Sequence, residues 1–317
     1  MTSETLEREH SRPQSKWRYL FRLAPPVIII GLLWSLADGP SALARLTDAD
    51  WRYLIPAFAA VNLQTIASAW RWHRVAARLG QAIPPRRAVA EYYLSQLVNQ
   101  SLPGGVLGDA ARAVRARHEA GLGIAAKAVI IERLAGQIAM FGLLALAGTW
   151  AILTPGGLTL AVDQNQLLIG MLAFMVLALV VYVGLRFARK KRSARLGQSI
   201  RTALVANGAW FEQSLLSAAI VALNLASFTL CALATGTVLG LEAVLVLVPL
   251  ILCAMLVPAT VAGWGFREGA AAGLFPLVGA TAAAGFAASL AFGLVILAAS
   301  LPGLFVLFRP NIIRRPS

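Results

Sequence analysis

Read from its N-terminus, the chain alternates long apolar runs with short polar ones. Runs of spanning length, about 17 residues or more, fall at 22–38, 52–72, 124–153, 166–186, 213–239 and 282–308. Two further apolar regions, 88–119 and 242–279, are each interrupted midway, at PGGVLG and PATVAGWG. Clustered proline and glycine do not continue a helix. Each interrupted region is therefore expected to form two half-helices joined by a break. The pattern predicts an all-α polytopic membrane protein, with six full transmembrane helices plus two re-entrant helical hairpins.

Composition agrees with that pattern. The chain is 58% hydrophobic and only 13% charged, where soluble domains carry about 25% charged residues. Its formal charge of +14 would suit a nucleic-acid binder, but the charges are placed otherwise. Of the 28 Lys and Arg, 23 fall in five clusters. These are Arg8 to Arg22, Arg71 to Arg87, Arg115 to Lys127, Arg186 to Arg201, and Arg309 to Arg315. The loops 39–51 and 154–165 hold only Arg45, with Arg52 at the edge. The positive-inside rule then puts both termini in the cytoplasm. For that count to hold, each interrupted region must enter and leave on one face, the first from the cytoplasm and the second from outside. The basic face is expected to meet anionic lipid headgroups. No nucleic-acid partner is expected, because no aromatic-interleaved basic face is visible.

Each half now reads span, span, hairpin, span. Three spans is an odd number, so the second half starts on the opposite face, giving an inverted repeat. The expected organisation is a cytoplasmic tail (1–21), a first membrane repeat (22–154, with hairpin 88–119), an outer loop (155–165), a second repeat (166–308) and a cytoplasmic tail (309–317). The second repeat holds the basic cytoplasmic loop 187–212, with a surface helix near 196–212, and hairpin 242–279. No short apolar run with a cleavage site opens the chain, so no cleaved signal peptide is expected.

The two breaks share a motif 155 residues apart. Pro103, Gly108 and Arg112 repeat as Pro258, Gly263 and Arg267, both Pro-x4-Gly-x3-Arg. Second half-helices beginning near Asp109 and Phe266 would aim their free N–H groups at the membrane interior. An arginine beside such a terminus suits a phosphate. Arg112, Arg267 and Arg133 are the candidate phosphate ligands, with Gly104, Gly105, Gly108, Gly263 and Gly265 letting a ligand approach the backbone. Asp109, Glu132 and Glu268 are candidate charge or proton partners. Asn99, Ser101, Pro103, Pro258 and Trp264 are candidate supports, Asn99 and Ser101 by capping freed backbone groups. The competing reading has the arginines pair with Asp109 and Glu268 and only hold the hairpins in place. Tyr92, Tyr93 and most tryptophans read as interfacial anchors, and His73 and His118 as solvated loop or interface positions. Cys231 and Cys253 read as small buried residues. No cofactor, metal site or catalytic motif is expected, so the chain reads as a non-enzyme.

At these residues the sequence resembles the membrane domain of the lysylphosphatidylglycerol synthases, a flippase-like family. The matching stretches are NQSLPGGVLGDAARAVRARHEAG (99–121), the Glu132–Arg133 pair and VPATVAGWGFREG (257–269). The order of spans agrees over nearly the whole chain. The resemblance implies movement of lipids or lipid-linked headgroups between leaflets, in a bacterial inner membrane. The chain ends at Ser317, so it is expected to lack the synthases' soluble aminoacyl-transfer domain and not to make lysylphosphatidylglycerol by itself. The expected function is transbilayer movement of an anionic, phosphate-bearing lipid. The alternatives are a non-transporting subunit that anchors or presents lipid to a separate membrane enzyme, and an integral-membrane transferase. The expected partners are the lipid substrate and either a second copy of the chain or that enzyme.

Overall fold

The structure is a computed structural model that describes residues 28–102, 105–153, 190–256 and 261–308. The described residues are helical almost throughout and contain no strand. A helix over 28–36 (α1) is followed by α2 (Gly39–Thr47), α3 (Trp51–Arg78), α4 (Pro85–Ser101), α5 (Leu107–Arg115), α6 (Arg117–Ala120) and α7 (Leu122–Leu153). Then come α8 (Lys190–Leu204), α9 (Ala209–Ala234), α10 (Leu241–Ala254), α11 (Phe266–Leu274), α12 (Ala282–Ser300) and α13 (Pro302–Phe308).

Three helical stretches are long and apolar enough to cross a membrane: Leu122–Ala151, Ala209–Ala234 and Ala282–Phe308. They coincide with the runs at 124–153, 213–239 and 282–308. Helix α3 contains the run 52–72 and has 28 residues. At ~1.5 Å per residue it is about 42 Å long, more than a bilayer core requires. Its arginines and Gln64 leave it more polar than the other three. The run 22–38 is described from Ile28 onward, as α1. The run 166–186, the outer loop 155–165 and the tails 1–21 and 309–317 lie outside the described residues.

Two boundaries differ from expectation. The surface helix expected at 196–212 runs instead from Lys190 to Leu204, and α9 starts at Ala209 rather than 213. Gly208, in the left-handed region at φ 74°, turns the chain between them. The expected loop 39–51 holds α2. Asp38 caps it by accepting from Ser41 N at 3.3 Å, and Pro40 lies in its first turn. That start signal is present in the sequence DGPS.

Helices α3 and α9 pack antiparallel. At one end Asp50 N donates to Ala234 O at 3.0 Å. At the other, Arg78 donates to Ala206 O at 3.1 Å and, with Arg74, binds Glu212. We refer to the Arg78 end as the basic end. Among the described residues each interrupted region forms two helices separated by a break, and the two helices of each pack together. The first leaves and rejoins the basic end: Arg87 Nη2 donates to Arg115 O at 3.3 Å, and Gln81 Nε2 to Ala116 O at 2.8 Å. The second starts beside the C-terminus of α9 and returns to α12, whose first turns pack on Ala37 and Ala42 at the opposite end. A core of Trp72, Ile83, Tyr92 and Ile131 surrounds the first hairpin. A second core surrounds the other, with Phe228 edge-on to Phe275 (6.4 Å) and Phe292 (5.3 Å).

Small residues set how closely these parts approach, as is usual where helices pack in lipid. A Cβ at Gly285 would meet Ala271 O at 2.2 Å, and one at Gly303 would meet Tyr93 O at 2.5 Å. So α12 and α13 together press on both hairpins. Gly108 is the tightest, since its Cβ would lie 2.0 Å from Ser95 O. Gly108→Ala must therefore push the arms of the first hairpin apart. We expect a loss of about 1–3 kcal/mol, seen as a lower melting midpoint of the detergent-solubilised protein. Gly142→Ala, where nothing lies within 4 Å, is expected to leave the midpoint unchanged or raise it.

Candidate functional site

The first hairpin brings Asp109 and Arg112 onto one face of α5, three residues apart. Arg112 is fully buried, and its Nη2 donates to Asp109 Oδ1 at 2.9 Å and to Glu132 Oε2 at 3.5 Å. Its guanidinium carbon lies over the rings of Trp72 (4.5 Å) and Tyr92 (4.4 Å), contacts worth about 2 kcal/mol each when desolvated. Glu132 and Arg133 are adjacent on α7, about 100° apart, and reach different elements. Glu132 takes Arg71 Nη2 from α3 at 2.8 Å and the Tyr92 hydroxyl from α4 at 3.2 Å. Arg133 reaches Asp109 on α5 at 2.8 Å. Asp109 also accepts from Ser95 Oγ (3.1 Å) and Asn99 Nδ2 (3.3 Å). Asn99 Oδ1 in turn accepts from Gly108 N at 2.8 Å, so Asn99 caps the start of the second half-helix.

The second hairpin is built differently. Arg267 is buried and donates through Nε and Nη2 to its neighbour Glu268, and through Nε to Ser289 Oγ at 3.0 Å. Glu268 also accepts from Gly265 N at 2.6 Å, which closes the start of α11. Gly263 and Gly265 have φ of 78° and 92°, the left-handed region that glycine enters without steric cost. Arg267 lies 5.1 Å from the Trp264 ring and 5.4 Å from Phe292. Here each charge is answered locally, within two adjacent residues.

Between the two breaks lies a cavity of about 420 Å³. Gly105, Val106 and Asp109 line it from the first break, and Met255, Leu256 and Gly263 from the second. Its charged wall is Arg71, Arg133 and Asp109. The Arg133 side chain is 45% exposed, while those of Arg71 and Arg112 are 4% and 0%. Beside it, among the described residues, a second cavity of about 960 Å³ runs between α7 and α9, with a nearly all-apolar wall. Val221 borders both, and Ser217 on the second wall accepts from Arg71 Nη1 at 3.1 Å.

The predicted residues are thus divided. Asp109, Arg133, Gly105 and Gly263 line the cavity. Arg112 and Glu132 stand behind its wall as direct partners of the lining residues. The Arg267–Glu268 pair, with Gly265 and Trp264, locks the second hairpin and is not part of that wall. Ser101 is exposed and is not among the lining residues. Pro103, Gly104 and Pro258 lie outside the described residues. Three readings are corrected. Arg71 is a buried partner of Glu132 rather than part of the basic face expected to meet headgroups. Tyr92 is 6% exposed and serves the ion cluster rather than an interface. His73 is partly buried on α3 and binds Ile83 O through Nδ1 at 2.7 Å rather than standing in a solvated loop. The signal for Arg71 was its register. Thr65, Ser68 and Arg71 follow one another at helical spacing, a polar stripe on a predicted span, and all three are buried.

This fold and this buried ion cluster define a multi-pass membrane protein. Residues 22–303 match the family model described as the lysylphosphatidylglycerol synthase TM region, and the chain belongs to that family. Membership places it among membrane proteins of lipid modification or translocation. No curated protein and no solved structure matches it.

Because Glu132 is the carboxylate shared by Arg71 and Arg112, Glu132→Gln is expected to cost about 3–5 kcal/mol of stability. Arg71→Gln added to it is expected to recover most of that loss, because the surplus cation goes too. A double-mutant cycle on melting in detergent checks this. Additive losses would contradict the coupling.

Proposed function

We propose that the chain moves an anionic, phosphate-bearing lipid across a bacterial inner membrane through the cavity between the two breaks. One observation carries this reading: arginines line a cavity that both hairpin breaks border. A guanidinium in hydrocarbon is costly unless it is paired or faces a wet cavity. Arg133 lines that cavity and keeps close to half its side chain exposed while paired with Asp109. A phosphate oxygen is the natural further partner for such a fork. The apolar cavity beside it offers room for hydrocarbon next to the headgroup.

The arrangement of the halves supports alternating access. The first hairpin has both ends at the basic end of the molecule, and the second has both at the other. Helices α3 and α9, the second spans of the two halves, run in opposite directions, as an inverted repeat requires. The third spans agree. Glu132 and Gly136 on α7, and Ser289 and Gly293 on α12, are separated by the same interval of 157 residues. A Cβ at Gly136 would meet Arg71 Nη2 at 2.8 Å, and one at Gly293 would meet Arg267 Nη2 at 2.3 Å. Both helices therefore leave room for a guanidinium at matching positions. In this reading the basic end faces the cytoplasm, carries both termini and meets anionic headgroups.

Transport is preferred to catalysis because Asp109 and Glu132 are each held by two arginines, leaving neither free to act as a base. It is preferred to passive presentation of lipid because a presenting subunit has no need of breaks from opposite ends meeting at one cavity. Reconstituted vesicles with labelled phospholipid test the proposal. Arg71→Ala and Arg133→Ala are each expected to slow translocation by about 10- to 100-fold, the equivalent of one charge-assisted hydrogen bond. Arg74→Gln, at the Glu212 pair, is expected to leave the rate unchanged. Wild-type rates in the Arg71→Ala, Arg133→Ala double variant would exclude this site.

A further inference from the structure

The ion cluster does not balance. Among the described residues, the charged groups on the cavity wall and their direct partners are Arg71, Arg112 and Arg133 against Asp109 and Glu132. Three cations face two carboxylates, which leaves one net positive charge. Among the described residues, Arg71 Nε and Arg112 Nε and Nη1 are buried with no hydrogen-bond partner. Of the other ion pairs, Glu91 with Arg115 and Arg267 with Glu268 each balance one to one, while Arg74 and Arg78 share Glu212 farther along α3, at the basic end. A buried charge that is left unanswered is expensive, so the resting site favours an occupant that brings one negative charge and no more.

We propose that the cavity selects by net charge, taking a monoanionic phosphodiester headgroup in preference to a dianionic phosphomonoester or a zwitterion. The inference rests on the lipid-site reading above and narrows it. A phosphodiester carries a single negative charge at neutral pH. A phosphomonoester has a second ionisation near pH 6 and carries close to two. One charge brings the cluster to neutrality. Two would leave an excess anion in a low-dielectric site, and a zwitterion would leave the excess cation in place. A lysyl ester of phosphatidylglycerol carries a net positive charge and would add to the excess. The ledger therefore ranks that lipid last, despite the name of the family.

Gln137 allows the ledger to be changed without touching the cluster. It lies on the cavity wall, one turn beyond Arg133, and is partly exposed. Gln137→Glu is nearly isosteric and brings the net charge to zero. Gln137→Lys brings it to plus two. At an effective dielectric of about 20, one unit charge about 10 Å away changes the binding of an anion about tenfold.

The test is competition by native mass spectrometry on full-length protein in neutral detergent, above pH 7. The probes are phosphatidylglycerol, phosphatidic acid, phosphatidylcholine and lysylphosphatidylglycerol with matched acyl chains. Wild type is expected to retain phosphatidylglycerol about tenfold over phosphatidic acid and phosphatidylcholine, and about 100-fold over the lysyl ester, which differs by two charges. Gln137→Glu is expected to erase the preference over phosphatidylcholine, and Gln137→Lys to move the preference toward phosphatidic acid. A ranking that is the same in all three proteins, or a wild type that prefers phosphatidic acid or the lysyl ester, overturns the charge ledger. Arg133→Gln distinguishes the two levels of inference: unchanged total lipid retention would remove the lipid site itself, whatever the ranking. Glycerophosphoglycerol, the deacylated headgroup, separates the sources. Displacement of lipid only at large excess supports a lipid ligand. Displacement at equal concentration would keep the charge rule but assign the cavity to a soluble phosphodiester.

Discussion

An arginine inside a membrane protein must have its charge answered, and the interior of this molecule is arranged around that demand. Arg71, Arg112 and Arg267 are almost completely buried, and Arg133 stands on a cavity wall. Their partners come from several helices, so satisfying them fixes how those helices meet. Glu132 on α7 draws in α3 through Arg71, α4 through Tyr92 and α5 through Arg112. The four elements around the first hairpin therefore share a single carboxylate. Glycine at position 136 and the aromatic faces of Trp72 and Tyr92 complete the housing, one by giving room and the others by offering π density.

The two hairpins meet the same demand with different economy of charge. In the second, Arg267 and Glu268 neutralise each other within one turn, and Ser289 stands where the first half has Glu132. That hairpin is locked and electrically closed. In the first, the carboxylates are shared among three arginines and the sum is not zero. Two sequences of similar pattern thus yield one structural clasp and one charged wall. The asymmetry explains why a motif repeated in the chain need not mean a site repeated in the structure.

Much of the fold was legible in the order of residues. The breaks at PGGVLG and PATVAGWG lie where proline and glycine interrupt apolar runs, and α11 begins at Phe266 as its glycines indicate. Apolar length located the helices at 122–151, 209–234 and 282–308. The misplaced pieces have local causes. Loop 39–51 contains a helix because Asp38 and Pro40 start one, and α9 starts at Ala209 because Gly208, in the left-handed region, turns the chain just before it. The candidate site was only partly legible. Asp109, Glu132 and Arg133 stood out as charges in apolar surroundings. Arg71 did not, because it sits at the margin of a run, next to Arg74 and Arg78, and a count of basic residues cannot tell a buried member from its exposed neighbours.

The sequence by itself determined where helices could form, where they had to break, and that charges would be trapped among apolar residues. Those properties depend on propensity, side-chain polarity and spacing along one chain. The tertiary structure alone decided which charges answer which. Pairing across 61 residues, as between Arg71 and Glu132, depends on the distance between helix faces, and no local pattern encodes it. For the same reason the repeated motif could not reveal its own outcome. Arg112 and Arg267 occupy the same place in the pattern, yet among the described residues only the cluster around Arg112 supplies charged side chains to the cavity wall, because only there do other helices contribute further ionic partners.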